Sequence, residues 1–434
     1  MNPLVLLLSS FFVLIALRVN IGFSLMLSSV IVMLHEDLPL TSVINQMYAN
    51  IDSFPLLAVP FFMFLGRILN SGGITERLLK VADVTVGHVR GGLGHVNVLV
   101  SMVFASLSGS AAADTASVGS ILIPAMKKAG YNPAFAVALT AASSTLGVII
   151  PPSIILIIYG AFGNVSIGAL FLGGVVPGIL IGLFMMAYTY VLAIRHGYPA
   201  SGRSSLKEVG VTLLRAAPPL LIPVMVLGGV VGGIFTPTEA AISAVIWALI
   251  LVFIVYRDVP IRNLPEMLAK SAVDFSVPLF TVAAAGIFGW LISYLGAADL
   301  VVEFILSVSR DPIAIMLMLI VFLLLIGTVL NPISAVLIFL PIIQALGDIA
   351  SMNPVHLGVL TTITLSVGLV TPPYGICLLI ASQIGEVRVI DAIVAILPII
   401  LLVVSVVIIS LFLPDLVIGL PKEFMPRIFG LPAG

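Results

Sequence analysis

Charge is what this chain has least of. It carries 18 Lys and Arg and 19 Asp and Glu in 434 residues, 9% of the total, against 61% hydrophobic residues. A water-soluble domain holds roughly 25% charged residues, so the composition excludes a soluble enzyme and specifies a polytopic membrane protein. A net charge of −1 provides no basic field for nucleic acid. The one cysteine, Cys377, excludes an intrachain disulfide. Residues 1–15 lack the basic start and small-residue cleavage site of a secretory signal, and read as a membrane helix. There is no Walker sequence and no Ser/His/Asp arrangement. His88 and His95 have no partner at metal-ligand spacing, so zinc is not expected. Nucleotide hydrolysis by this chain is thereby excluded as an energy source, and any transport it performs would have to draw on an ion gradient.

What is present is present twice. Residues 139–152, LTAASSTLGVIIPP, reappear at an offset of 221 as residues 360–373, LTTITLSVGLVTPP. Asn132-Pro133 matches Asn353-Pro354, Gly147 matches Gly368, Pro151-Pro152 matches Pro372-Pro373, and Pro177 matches Pro398. Each copy is an apolar helix that runs into Gly-x-x-x-Pro-Pro and becomes apolar again. Proline lacks the amide proton and pushes its predecessor out of helical angles, so a pair of prolines unwinds the helix. In lipid, unwound backbone survives only where it is buried in protein or lines a cavity. Interrupted segments at matching places in two halves point to a transporter binding site.

The chain therefore reads as an all-α membrane protein of two inverted repeats. The first repeat, 1–194, has scaffold helices over 1–90. Within them, 3–17, 21–34 and 55–69 are spans, while 35–52 and 74–89 are amphipathic arms lying along the surface. A re-entrant hairpin (93–128, tip Ser108-Gly109-Ser110), a broken helix (133–163) and a span (169–194) follow. A cytoplasmic linker, 195–211, leads to the second repeat, 212–414. Its scaffold, 212–308, contains spans at 213–231 and 238–256, a surface helix at 260–274, a span at 277–295 and a second surface helix at 298–308. Then come a hairpin (313–347, tip Gly327 to Asn331), a broken helix (354–384), a span (392–413) and a tail, 415–434.

Five crossings and one hairpin per half is an odd count, so the halves must be inverted. With the linker in the cytoplasm, 15 of the 18 Lys and Arg fall inside, and only Arg310, Lys422 and Arg427 fall outside. That satisfies the positive-inside rule with both chain ends outside, and counting either hairpin as a crossing spoils the agreement.

A hairpin tip in mid-membrane puts the N-terminus of its second helix in the interior, where free amides suit an anion or a polar substrate. Ser108, Gly109, Ser110 and Asp114 lie at the first tip, and Thr328, Asn331 and Ser334 at the second. Carbonyls unwound after Gly147 and Gly368 are hard oxygen donors for a small cation. The plainer alternative is that Gly and Ser allow close helix packing and the prolines only kink spans. Asp114 reads either as a helix cap or as a ligand. Glu239, in Thr236-Pro237-Thr238-Glu239, reads as first-turn stabilisation. Trp247 and Trp290 read as packing residues.

Five stretches carry a resemblance: FFMFLGRIL (61–69), SLSGSAAADTASVGSILIPAM (106–126), GVIIPPSIILIIYG (147–160), GTVLNPISAVLIFLPI (327–342) and GLVTPPYGICLLIA (368–381). Over nearly its whole length the chain resembles the large membrane subunit of tripartite ATP-independent periplasmic (TRAP) transporters. The resemblance implies a sodium-driven importer of a small organic anion in the bacterial inner membrane, working by an elevator motion. Its implied partners are a small four-helix membrane subunit and a periplasmic solute-binding protein. It also implies one sodium site at Ser108, Gly147, Ile150 and Pro152 and another at Gly327, Gly368, Thr371 and Tyr374, with substrate near Ser110 and Asn331. A serine of the family pattern near the first site is Ala105 here. The aspartate of sialic-acid members is Asn331 here, which points away from sialic acid and leaves dicarboxylates and other organic acids. The competing readings are a stand-alone sodium–anion symporter of the same architecture and, in a different class, an ion channel.

Overall fold

The computed structural model describes residues 2–373 and 375–430, and among these every regular element is helical. Many helices begin by one local rule. At Asn2-Pro3, Asn132-Pro133, Asp311-Pro312, Asn331-Pro332 and Asn353-Pro354, the Asx side chain accepts a first-turn amide and proline takes the first helical position. Proline suits that position because its missing N–H would have had no partner there. Glu239 gives the first-turn stabilisation expected of it, and with Thr236 it forms a reciprocal capping box.

The first half comprises α1 (Pro3–Ala16), α2 (Ile21–His35), α3 (Thr41–Ile51), a 3₁₀ turn at Phe54–Leu57 that enters α4 (Ala58–Ser71), α5 (Ile74–Val86), α6 (Gly92–Ser108), α7 (Ala111–Lys128), α8 (Pro133–Ser144), α9 (Ile154–Gly163) and α10 (Ile167–His196). The second comprises α11 (Leu206–Val231), α12 (Pro237–Leu249, continued as a π-helix over Ile250–Tyr256), α13 (Leu264–Tyr294), α14 (Ala297–Val308), α15 (Pro312–Gly327), α16 (Pro332–Ile349), α17 (Pro354–Gly368), α18 (Ile376–Gly385) and α19 (Val389–Phe412). A last helix, α20 (Asp415–Phe424), has no counterpart in the first half. Among the described residues, seven helical segments are long and apolar enough to cross a membrane. The hairpin arms α6 and α15 and the pieces of both broken helices are apolar but shorter. At 1.5 Å per residue they fall short of a hydrocarbon core of about 30 Å.

The halves pack reciprocally. α2 lies on α13 as α12 lies on α4, and α7 lies on α18 as α16 lies on α9. This exchange of equivalent partners is what a pseudo-two-fold relation between two repeats produces. One group of helices contains α1, α2, α4 and α11–α13. The other contains both hairpins, both broken helices, α10, α19 and α20, and the groups meet chiefly where α13 packs on α16, α4 on α6 and α11 on α10.

Three segments differ from the sequence reading. The surface helix at 260–274 and the span at 277–295 are one 31-residue helix, α13, with Pro278 inside it. Proline deprives one carbonyl of its donor, but packing against α2, α3, α4 and α16 carries the helix through. The matching joint in the first half is a real break, at Asp52-Ser53. The linker shrinks to 197–205, because Ser205 caps α11 through the Glu208 amide at 3.2 Å. The tail contains α20, which sets Val417, Ile418 and Pro421 against the protein and packs along α10.

Inside the first half, α6 is joined to α8 by a buried polar ladder. Asn97 Nδ2 donates to Thr140 Oγ1 at 2.5 Å, Ser143 Oγ donates to Asn97 Oδ1 at 3.3 Å, and the Ser101 and Ser143 hydroxyls are 2.9 Å apart. Side-chain bonds between membrane helices contribute about 1 kcal/mol each. Asn97→Ala is expected to lower the unfolding temperature of the detergent-solubilised protein, while Asn97→Gln, which keeps the amide, loses less.

Candidate ion and substrate site

The first break is built from short-range rules and closed by a contact no short-range rule supplies. After α8 the chain tightens into a 3₁₀ turn at Thr145–Val148, and the Pro151-Pro152 peptide is cis. Ser153 then restarts the helix: its hydroxyl donates to the Val148 carbonyl at 2.5 Å and accepts the Leu156 amide at 3.3 Å. Pro151 and Pro152 have no amide to give. Among the described residues the carbonyls of Gly147, Ile149, Ile150, Pro151 and Pro152 therefore receive no backbone N–H from the break. Such carbonyls in a low-dielectric interior favour a cation.

The tip of the first hairpin comes up against this break. Gly109 turns with φ +64°, and a Cβ there would lie 2.9 Å from the Pro152 carbonyl oxygen. Ser110 holds the cap position of α7 without a capping side-chain bond; its amide donates to Ser108 Oγ at 3.2 Å. Asp114 is therefore not the cap. It is fully buried, one carboxylate oxygen accepts the Ser108 hydroxyl, and the other has no hydrogen-bond partner among the described residues. That second oxygen lies against the Cα of Gly147, in the space a side chain would occupy. A buried carboxylate with one oxygen unpartnered and no counter-charge is costly. With bare carbonyls beside it, the donor set is the hard, all-oxygen kind that suits a small cation.

Ser108, Gly109, Asp114, Gly147 and Pro152 thus lie together where the hairpin tip meets the break. Ile150 turns its side chain onto Gly178 of α10. Ala105 is buried and its carbonyl accepts the Gly109 amide at 3.4 Å.

The second break repeats the plan with a difference. Gly327, ending the first arm of the second hairpin, sits with its carbonyl directly on the Cα of Gly368. The Pro372-Pro373 peptide is also cis. Here the Gly368 carbonyl accepts the Thr371 amide at 3.2 Å, and the Thr371 carbonyl accepts the Gly375 amide at 3.1 Å. Among the described residues each of these two oxygens has one backbone amide on it, where the first break's carbonyls have none. The Thr371 hydroxyl is committed to the Val367 carbonyl at 2.7 Å, and the Thr328 hydroxyl to Leu325 at 2.7 Å. Asn331 caps α16 through the Ser334 amide at 3.0 Å, and the buried Ser334 hydroxyl has no partner among the described residues. Tyr374 lies outside the described residues.

The proposed substrate residues do not share one pocket. Ser108 and Ser110 line a cavity of about 350 Å³ against α4 and Asp274, whereas Asn331 lines one of about 380 Å³ against Asn20 and the Val277-Pro278-Thr281 face of α13. Asp274, Val277, Pro278 and Thr281 recur at helical spacing, so one face of α13 walls both cavities. Sequence reading missed Arg67 and Asp274, which pair across the first cavity although they are 207 residues apart. The available signal was an arginine near the end of the apolar stretch FFMFLGRIL. Trp247 is a packing residue whose indole N–H donates to the Pro218 carbonyl at 2.9 Å.

Helices interrupted in mid-span, met by hairpin tips in two reciprocally packed halves, define the class as a multi-pass membrane transporter. Residues 8–416 match the family model described as "Tripartite ATP-independent periplasmic transporter, DctM component". The chain belongs to this family, as a large permease component, and is not an enzyme. It is similar to an uncharacterized Salmonella typhimurium protein, YgiK, with 37% identity covering 98% of both chains. It is also similar to the sialic acid TRAP transporter large permease SiaM of Vibrio cholerae, with 34% identity covering 93% of this chain and 95% of the relative. In fold it resembles the YdaH transporter of Alcanivorax borkumensis, with TM-score 0.59 and 15% identity, covering 86% of this chain and 88% of that one.

Proposed function

We propose that the chain imports a small organic anion across the bacterial inner membrane in symport with sodium. Substrate is delivered by a periplasmic binding protein, and a small four-helix membrane subunit braces the scaffold. The observation that carries the sodium assignment is the unpartnered Asp114 oxygen lying on Gly147 beside the bare carbonyls of the break. Ser108, Gly147, Ile150 and Pro152, joined by Asp114, would hold one ion. Gly327, Gly368, Thr371 and Tyr374 would hold the second. Sodium bound there would neutralise the buried carboxylate and fasten each hairpin to its broken helix, so that binding on one side of the membrane can be coupled to a movement of the whole unit.

The charge distribution supports inverted halves with both termini in the periplasm. On that assignment Arg18 and Arg67 mark the cytoplasmic side. The cavities at both tips are bounded at that end, by Val19 and Asn20 in one case and Arg67 and Ser71 in the other. Both tips thus face cytoplasmic cavities, which is the inward-facing arrangement of an elevator. Substrate is inferred at Ser108, Gly109, Ser110 and Asp114 on one side and Thr328, Asn331 and Ser334 on the other. SiaM is named for sialic acid, itself a carboxylate. Asn331 in place of an acid leaves dicarboxylates and other organic acids as the better candidates for this chain.

Proteoliposomes containing the permease, its small subunit and the binding protein test this directly. Uptake of the anion should follow an imposed sodium gradient and stop in potassium-only buffer. Equal uptake in potassium would remove sodium coupling. Full uptake without the binding protein would instead favour the stand-alone symporter.

A further inference from the structure

We propose that Arg67 is the counter-charge that receives the substrate's anionic group beside the first hairpin tip, and that Asp274 holds this guanidinium when no substrate is there. Arg67 can act in this way only if the cargo is an organic anion, as inferred above.

Arg67 lies near the end of α4, and Gly66 just before it brings the helix against the hairpin tip: a Cβ at Gly66 would be 3.4 Å from Ser108 Cα. Its side chain lines the cavity that Ser108, Ser110 and Ser117 line from the other side. Among the described residues lining this cavity and the one at the second tip, Arg67 is the only cation and Asp274 the only acid. A carboxylate crossing this space has one positive charge to meet.

The pair is also built to exchange. Among the described residues Arg67 is bonded to Asp274 through Nη2 alone, which leaves four of the five guanidinium N–H donors without a partner there. By contrast, Arg388 uses both Nε and Nη2 on the two oxygens of Asp391, the fork geometry of a settled pair. The Arg67 side chain is 28% exposed and that of Asp274 is 51% exposed. Asp274 can therefore return to water at little cost while an incoming carboxylate takes the fork. Asp274 occupies the α13 face that continues past Val277 and Pro278 to Thr281 and the second cavity. A carboxylate bound at Arg67 is thereby set against both moving tip and fixed wall.

The test uses the complete reconstituted system with radiolabelled succinate and N-acetylneuraminate as probes. Arg67→Gln should raise the KM of the transported probe at least tenfold while sodium half-saturation stays within twofold. Asp274→Asn should leave KM unchanged or lower it. The decisive variant is the exchange Arg67→Asp with Asp274→Arg. If the pair were only a brace between α4 and α13, the exchange would restore uptake and overturn the assignment; a substrate contact is not restored.

Should the wild type take up neither probe, the anion reading fails for those two classes, and a second arm still reads Arg67. Cys377 is buried, so Ala116→Cys places a single accessible thiol on the cavity wall. An anionic methanethiosulfonate should modify it faster, relative to a cationic one, than it modifies a free thiol. Arg67→Gln should abolish that preference and Asp274→Asn should increase it. A reagent preference that ignores both substitutions would refute the role of Arg67.

Discussion

Replacing Asp114 by Asn should do two opposite things to the same protein. In sodium-free potassium buffer the variant should unfold at a higher temperature than the wild type. In sodium it should show none of the stabilisation the wild type gains. Both effects come from one orphaned oxygen. Asp114 is fully buried, its single hydrogen-bond partner among the described residues is the Ser108 hydroxyl, and its second oxygen faces Gly147. Without a cation this is an uncompensated buried carboxylate, and neutralising it relieves a cost of several kcal/mol at most. With a cation it is the charged member of the donor set. Its loss removes at least about 1.4 kcal/mol, a tenfold change in sodium affinity. Asp114→Glu should fail as well, because the Cα of Gly147 leaves no room for a longer side chain. Thermal unfolding in sodium against potassium, with sodium-dependent uptake beside it, separates this from simple misfolding.

The second large effect is expected at Gly368. Its Cα carries the Gly327 carbonyl directly upon it, so a single methyl group would overlap backbone rather than the end of a mobile side chain. Backbone cannot swing aside, and the second hairpin must separate from its broken helix. Overpacking of this kind costs about 1–3 kcal/mol. Because this junction is where the second sodium is inferred, that energy falls on the bound state. Gly368→Ala should raise half-saturating sodium by roughly tenfold or more, with expression of the protein maintained. Gly210, with open space around it, is the control: Gly210→Ala should transport like the wild type. Equal sodium dependence in the Gly368 and Gly210 variants would remove Gly327 and Gly368 from the ion site.

Much of this was legible in the residues because it depends on local rules. Proline pairs at a fixed offset mark both breaks, Asn-Pro and Asp-Pro mark helix starts, and Ser108-Gly109-Ser110 marks a tip. The Gly147 and Gly368 positions were readable as breaks. The reason each must be glycine was not, since Gly147 meets a side chain 33 residues earlier and Gly368 a carbonyl 41 residues earlier. The continuity of α13 through Pro278 was hidden for the same reason: tertiary packing, not propensity, holds that turn. The Arg67–Asp274 pair joins the two halves of the chain, and no periodicity encodes it. Ser110 and Asn331 line different cavities that one face of α13 walls in common, an arrangement that likewise exists only once the chain has folded.

The inferred mechanism depends on one property: that sodium, chosen over potassium, binds where each hairpin tip meets its broken helix. The most direct measurement is sodium binding to the purified membrane complex by titration calorimetry, in choline buffer without substrate. The wild type should give saturable binding that potassium does not reproduce, and Asp114→Asn combined with Gly368→Ala should give none. Binding that is equal for the two ions, or that survives the double substitution, would contradict it.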